Sequence, residues 1–267
     1  MKRALLVPIL MLMLMAATSC LPPWIRDALP PVGGVTTPSA ETECTVVPDE
    51  DTLERLELST SPLEQTVQMH PGETHAFSLG VIECCYILEP VEACATWSVE
   101  PTLGASIDAQ TGVFAVDQGT PSGSVFTVSA DVENGRRVVS IEVHVYTLED
   151  NPLVGLWREE AQLACGTGEE VVPEEPIREL RFGADGSFAV TWKPFEIYVD
   201  YRGTYAYDLT RGTLDLVVEG GSYVPDDVDG SGSFSIDEEG CLILSEIWLG
   251  SPRGGPSSPN CGHGFMQ

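Results

Sequence analysis

Alternation is the feature that most restricts what this chain can fold into. Phe77, Leu79 and Val81 stand at every second position, as do Ala95, Trp97 and Val99, then Phe126, Val128 and Ala130, then Val139, Ile141, Val143 and Val145. Successive side chains of an extended strand point to opposite faces, so this period buries one face of a sheet and wets the other. Turn residues separate the runs about every ten positions. Glu133-Asn134-Gly135 sets an Asn-Gly pair between the last two runs, a strong hairpin signal because both residues tolerate positive φ. The pattern over Leu53–Tyr146 predicts an antiparallel sandwich with Trp97 as the buried anchor of its core.

The same alternation resumes after a boundary at Leu148–Pro152. Leu180 and Phe182 lead through Gly-Ala-Asp-Gly to Phe188, Val190 and Trp192. Tyr205, Tyr207 and Leu209 lead through Thr210-Arg211-Gly212 to Leu214, Leu216 and Val218, and Phe234 and Ile236 lead to Leu242 and Leu244, with Trp248 beyond. Hairpins in succession form a meander, which closes into an up-and-down barrel or remains a strongly bent sheet. The expected fold class is all-β.

Short motifs add two resemblances. Ala95-Thr-Trp97-Ser-Val99-Glu-Pro101, Gly104-Ala-Ser-Ile107-Asp, Thr111-Gly112-Val-Phe114 and Phe126-Thr-Val-Ser-Ala130 resemble a bacterial immunoglobulin-like domain of the group 2 type, covering about residues 52–147. That resemblance implies an immunoglobulin-like β-sandwich serving as a rigid spacer or adhesive module, with no catalytic residues. Gly155-Leu-Trp157, Leu180-Arg-Phe182-Gly-Ala-Asp185-Gly186-Ser-Phe188 and Asp200-Tyr201-Arg-Gly203-Thr-Tyr205 resemble the lipocalin-like domains of bacterial lipoproteins, over about residues 152–267. The family resemblance implies that Trp157, following Gly155, packs across the closed end of a barrel. In lipocalins an arginine near the chain end covers that tryptophan, and Arg253 is the only late arginine here.

Residues 1–19 carry an address. Lys2 and Arg3 precede an apolar run from Ala4 to Ala17, and small residues lead into Cys20. This is the layout of a secretory signal peptide. The run is shorter than the ~20 residues of a spanning helix. Ala17-Thr18-Ser19-Cys20 resembles a bacterial lipobox, which implies lipidation of Cys20 and attachment to a bacterial membrane, at the outer membrane or cell surface. Residues 20–51 read as a linker punctuated by Pro22, Pro23, Pro30, Pro31, Pro38 and Pro48. A proline-stiffened spacer of about thirty residues reaches roughly 90 Å.

Charge and cysteines narrow the function. Without the leader, 11 basic residues face 41 acidic ones, a net charge of −30. Such a chain is repelled by nucleic acid, which is therefore excluded as a partner. With Cys20 assigned to lipid, seven of the eight cysteines remain, an odd number that leaves at least one thiol without an internal partner. Cys84, Cys85 and Cys94 suit a local staple. Among Cys165, Cys241 and Cys261 an exported protein forms a disulfide, and Cys165–Cys261 is favoured because the first and last strands of a closed meander are neighbours. A nucleophilic pairing of these thiols with His263 is the lesser alternative.

No sequence motif for catalysis is visible, so the expected function is a non-enzymatic binding or scaffolding module with an unknown protein or small-molecule partner. The alternative is a carrier holding a small apolar ligand in the C-terminal barrel, lined by aromatics such as Trp192, Tyr198 and Tyr205. Asp227, Asp229 and Ser231, with Gly232, Ser235 and Glu238, match the spacing of an EF-hand calcium loop. Strand patterns rather than helices flank them. Two readings stay open: an acidic hairpin loop over Asp226–Gly232, or calcium held by Asp226–Ser231. No other cofactor is expected.

Overall fold

The computed structural model describes residues 46–58, 66–82, 88–195, 198–253, 255 and 259–267. The leader, Cys20, the linker up to residue 45, Cys44, Cys84 and Cys85 lie outside the described residues. The fold is nearly all β and rests on two separate hydrophobic cores.

The first core begins with helix α1, Glu50–Arg55, where the sequence pattern predicts linker and strand. Local chemistry explains the helix. Asp49 caps it by accepting the Thr52 amide at 2.8 Å, Glu50 and Asp51 sit in the first turn, and Arg55 sits in the last. Leu53 is its one buried residue. Strands β1 (Leu56–Leu58), β2 (Thr66–Met69), β3 (Thr74–Ala76), β4 (Leu79–Ile82), β5 (Leu88–Pro90), β6 (Ala95–Glu100), β7 (Ala105–Ile107), β8 (Val113–Val116), β9 (Val125–Val132) and β10 (Arg137–Val145) follow. They pair as β1-β4-β5, β3-β8-β7 and β2-β10-β9-β6, with β2 parallel to β10 and every other pair antiparallel.

One predicted strand is broken in two. Phe77, Leu79 and Val81 are all buried, but Phe77 leaves β3 and donates its amide to Gly112 while Leu79 starts β4 in a different sheet. The period was right because all three side chains point into one core. The buried Trp97 ring stacks on Phe77 with centroids 6.3 Å apart, and Phe77, Phe114 and Phe126 continue the cluster edge to face. Gly112 explains why the Thr-Gly-Val-Phe motif and Trp97 belong together. Its φ is +69°, and a Cβ there would meet the Trp97 ring at 2.7 Å. Asp108 holds this turn by accepting the amides of Gln110 and Thr111 and the Thr111 hydroxyl. Those Thr111 bonds, with Gln110 adding, lower its carboxyl pKa.

The second core is a closed barrel. Strands β11 (Gly155–Ala164), β12 (Glu170–Val171), β13 (Glu179–Phe182), β14 (Ser187–Thr191), β15 (Tyr201–Asp208), β16 (Thr213–Gly221), β17 (Ser231–Ile236), β18 (Leu242–Ser245) and β19 (Asn260–Met266) run in order, and β19 returns to pair with β11. Eight antiparallel strands complete the ring, with β12 a short addition beside β11. Closure decides between the two sequence alternatives: it is a barrel, not a bent sheet. Leu209 departs from the expected pattern, standing exposed in the turn between β15 and β16. At Gly203 the backbones approach so closely that a Cβ would fall 1.9 Å from the Val217 carbonyl oxygen, beside a register shift in the β15–β16 pair.

Antiparallel order sorts the connections into two ends. The proximal end holds the linker residues 147–154 and the turns at 183–186, 209–212 and 237–241. Asp185 accepts the Thr66 hydroxyl and Gln68 accepts the Ala184 amide, so this end meets β2 of the first module. The distal end holds the connections after β11, β14, β16 and β18.

Candidate functional site

The barrel interior is filled by side chains. Trp157, Leu180, Phe182, Tyr201, Leu214 and Phe265 are each at most 2% exposed. Trp157 donates its indole N–H to the Leu153 carbonyl at 2.7 Å, next to buried Val154, at the proximal end. Arg253 does not cover it. That arginine lies at the distal end, over the Tyr223 ring at 4.9 Å, and donates to the Ser222 carbonyl.

The three aromatics expected to line a ligand cavity are not brought together. Trp192 and Tyr198 meet on Asp200 at the distal end: the Trp192 amide donates to one carboxylate oxygen at 2.8 Å and the Tyr198 hydroxyl to the other at 2.7 Å. The bond to Asp200 raises the Tyr198 pKa. Tyr205 is at the proximal end, donating its hydroxyl to the Gly183 carbonyl at 2.7 Å and accepting from the Asn151 amide. Its burial, more than any neighbouring charge, drives its pKa far up.

Asp227 and Asp229 stand on the connection between β16 and β17, and Ser231 opens β17. Asp227 accepts the Ser251 amide and hydroxyl and the Trp248 indole N–H. Burial pushes its pKa up, but these hydrogen bonds outweigh that and leave it lowered. Asp229 pairs by backbone with Trp248. No group of three or more His, Cys, Asp or Glu side chains suited to a metal occurs among the described residues. Through Asp227 the acidic loop between β16 and β17 is bonded to residues 246–253.

That segment, connecting β18 toward β19, seals the distal mouth. Ile247 and Leu249 are fully buried in the barrel core, and Trp248 and Ser251 are each 6% exposed. Tyr201 donates its hydroxyl to the Leu249 carbonyl at 2.7 Å, and Tyr223 donates to the Ser251 carbonyl. Burial raises the Tyr201 pKa strongly, which keeps this hydroxyl a donor.

Beneath the segment lies a pair that sequence reasoning missed. Glu159 on β11 and His263 on β19 are buried, with Oε1 and Nδ1 2.6 Å apart. The other Glu159 oxygen accepts the Ile177 amide at 2.7 Å, and the His263 Nε2 accepts the Leu249 amide at 3.0 Å. An N–H pointing at Nε2 requires that nitrogen to be bare, so Nδ1 carries the proton and donates to Glu159. The Trp248 ring stacks on the imidazole at 4.6 Å and 10°. Both imidazole nitrogens are thus engaged, and the pair is not free to act as a general base. The residues are 104 positions apart. Only their inward parity on two strands hinted that they could meet.

The cysteines resolve similarly. Cys165 and Cys261 form the expected disulfide, with Cα atoms 4.9 Å apart, across the β11–β19 seam. No thiol of that pair remains for His263. Cys241 is free, and desolvation and Asp237 raise its pKa. Cys94 is itself disulfide-bonded; the rest of the expected staple, Cys84 and Cys85, lies outside the described residues.

No family model and no curated protein matches the sequence. Among solved structures, a structural-genomics protein of unknown function from Bacteroides ovatus matches at 8% identity over 79% of this chain and 92% of that chain, with a TM-score of 0.27.

Proposed function

We propose that this chain is an exported, membrane-anchored lipoprotein, lipidated at Cys20, in which a group 2-type immunoglobulin-like sandwich and a lipocalin-like barrel act as a non-enzymatic binding or scaffolding module. The leader, the proline-rich linker and the acidic surface support export and display. The observation that carries the choice of a scaffold over a carrier is the packed barrel. Trp157, Phe182 and Tyr201 occupy the interior, and Ile247 and Leu249 stop its distal mouth. A barrel of eight strands has room for side chains or one small ligand, not both. The imidazole with both nitrogens bonded, and the disulfide in place of a thiol, give no support to nucleophilic chemistry.

The test has two arms. Cys20→Ser should abolish palmitate incorporation and release the protein from membranes; membrane retention of the variant would sink the anchor. Native mass spectrometry of the purified protein should give the mass of the polypeptide and its lipid alone. A co-purified apolar molecule at one per chain, retained in the Cys20→Ser variant, would instead establish the carrier.

A further inference from the structure

We infer that the junction between the two modules is a fixed elbow: residues 147–154 are locked to strand β2 of the first module at one end and to Tyr205 of the barrel at the other, so the distal end of the barrel points in one direction relative to the first module. The inference concerns the conformation of the whole chain and goes beyond the scaffold reading. Modules joined by a single crossing ordinarily swing against each other, because a few backbone dihedrals of the crossing absorb the change.

The crossing itself is stiff. Thr147-Leu-Glu-Asp-Asn-Pro-Leu-Val154 contains no glycine. Pro152 fixes its own φ and restricts Asn151 before it. The Thr147 carbonyl accepts the amides of Asp150 and Asn151, and the Thr147 hydroxyl donates to the Asp150 carboxylate at 2.8 Å, which closes the first half into a turn. The second half is seated in the barrel, where Leu153 and Val154 are buried and the Leu153 carbonyl accepts the Trp157 indole N–H.

Both ends are also held from the side. Tyr146, immediately before the crossing, donates its amide to the Met69 carbonyl at the end of β2, and its own carbonyl lies 3.0 Å from Nδ1 of His70. Farther along, Tyr207 donates its hydroxyl to the Asp150 carbonyl at 2.7 Å, and the Asn151 side chain donates to the Tyr205 hydroxyl at 2.8 Å. Tyr205 passes the constraint on. Its hydroxyl donates to the Gly183 carbonyl and its amide to the Gly186 carbonyl, so one residue grips both ends of the 183–186 turn. From that turn the Ala184 amide donates to Gln68 at 2.8 Å, and Asp185 accepts the Thr66 hydroxyl at 3.2 Å. Asp185 reaches across without loosening its own turn, because its other oxygen accepts the Ser187 amide and hydroxyl. The path from β2 through Tyr146, Asn151, Tyr205 and Ala184 therefore returns to β2. It touches that strand at Thr66 and again at Met69, about 10 Å apart at the rise of an extended strand. Two attachments separated along one strand oppose the swing that a single crossing permits.

The test is the measurement of residual dipolar couplings of backbone amides in the intact chain. The expected result is one alignment tensor common to β6–β10 and β13–β18. Tyr205→Phe keeps the ring contact with Phe182 but frees Asn151 and Gly183. The Thr66→Val, Gln68→Ala pair cuts the turn from β2. Each variant should replace the common tensor by two of unequal magnitude. Unequal tensors in the unmodified chain overturn the inference, and so does a common tensor that survives in either variant. Should Tyr205→Phe fail to fold, the β2 pair, whose two residues are only half-buried, decides by the same reading.

Discussion

The two cores bury different chemistry. Around Trp97 the buried residues described are apolar except for Thr120, which is bonded to the Gly104 carbonyl. The barrel and its entry segment bury Asn151, Glu159, Thr191, Asp200, Ser251 and His263. Shape holds the first together, through ring stacking and the glycine against Trp97. The second is held in addition by directed bonds, from Tyr201, Tyr205, Asp200 and Asp227, that tie connecting segments into both mouths. Apolar packing tolerates wide changes of pH, whereas each buried polar bond depends on a protonation state and is costly to orphan. The difference teaches where sensitivity resides: in the barrel, whose buried polar bonds depend on protonation state, rather than in the apolar core around Trp97.

Four variants break or sharpen that contrast. Trp97→Ala should cost about 4 kcal/mol of stability through the cavity it leaves. In urea unfolding followed by hydrogen exchange, the loss should fall on β6–β10 and spare the barrel; an equal loss in both would show that the cores unfold as one. Replacing Cys165 and Cys261 by serine should cost about 3 kcal/mol, because the bond closes a 96-residue separation across a seam with two register shifts. The thermal midpoint of the barrel should drop while that of the first module does not. Glu159→Ala should cost about 2 kcal/mol by leaving the Ile177 amide and the His263 N–H without an acceptor. Chemical denaturation at pH 8 reads this directly, and a neutral result would mean that water replaces the carboxylate. Tyr201→Phe, the smallest change, should cost about 1 kcal/mol and appear as faster exchange in 246–253 alone.

Much of the architecture was legible in the chain. Period-two runs located the strands because one face of each sheet is buried, and turn residues marked their ends. The meander order was enough to expect Cys165 beside Cys261. Legibility failed where local and tertiary demands diverged. Phe77–Val81 has the parity of one strand but changes sheets midway. Asp49 and the charges of Glu50, Asp51 and Arg55 built a helix turn inside an expected linker. The calcium-like string over Asp227–Glu238 had the spacing of a binding loop, yet Asp227 is satisfied by Ser251 and Trp248, which the spacing cannot reveal.

The chain by itself determined an all-β fold, because alternation and turn chemistry are local and act within a few residues. Only the tertiary structure decided that the meander closes, that Trp192 and Tyr198 meet on Asp200 while Tyr205 faces the opposite end, and that Glu159 and His263 share a proton-bearing contact. Those outcomes depend on residues as many as 104 positions apart. Ring closure sets their register, and no local rule fixes which inward-facing side chains then become neighbours.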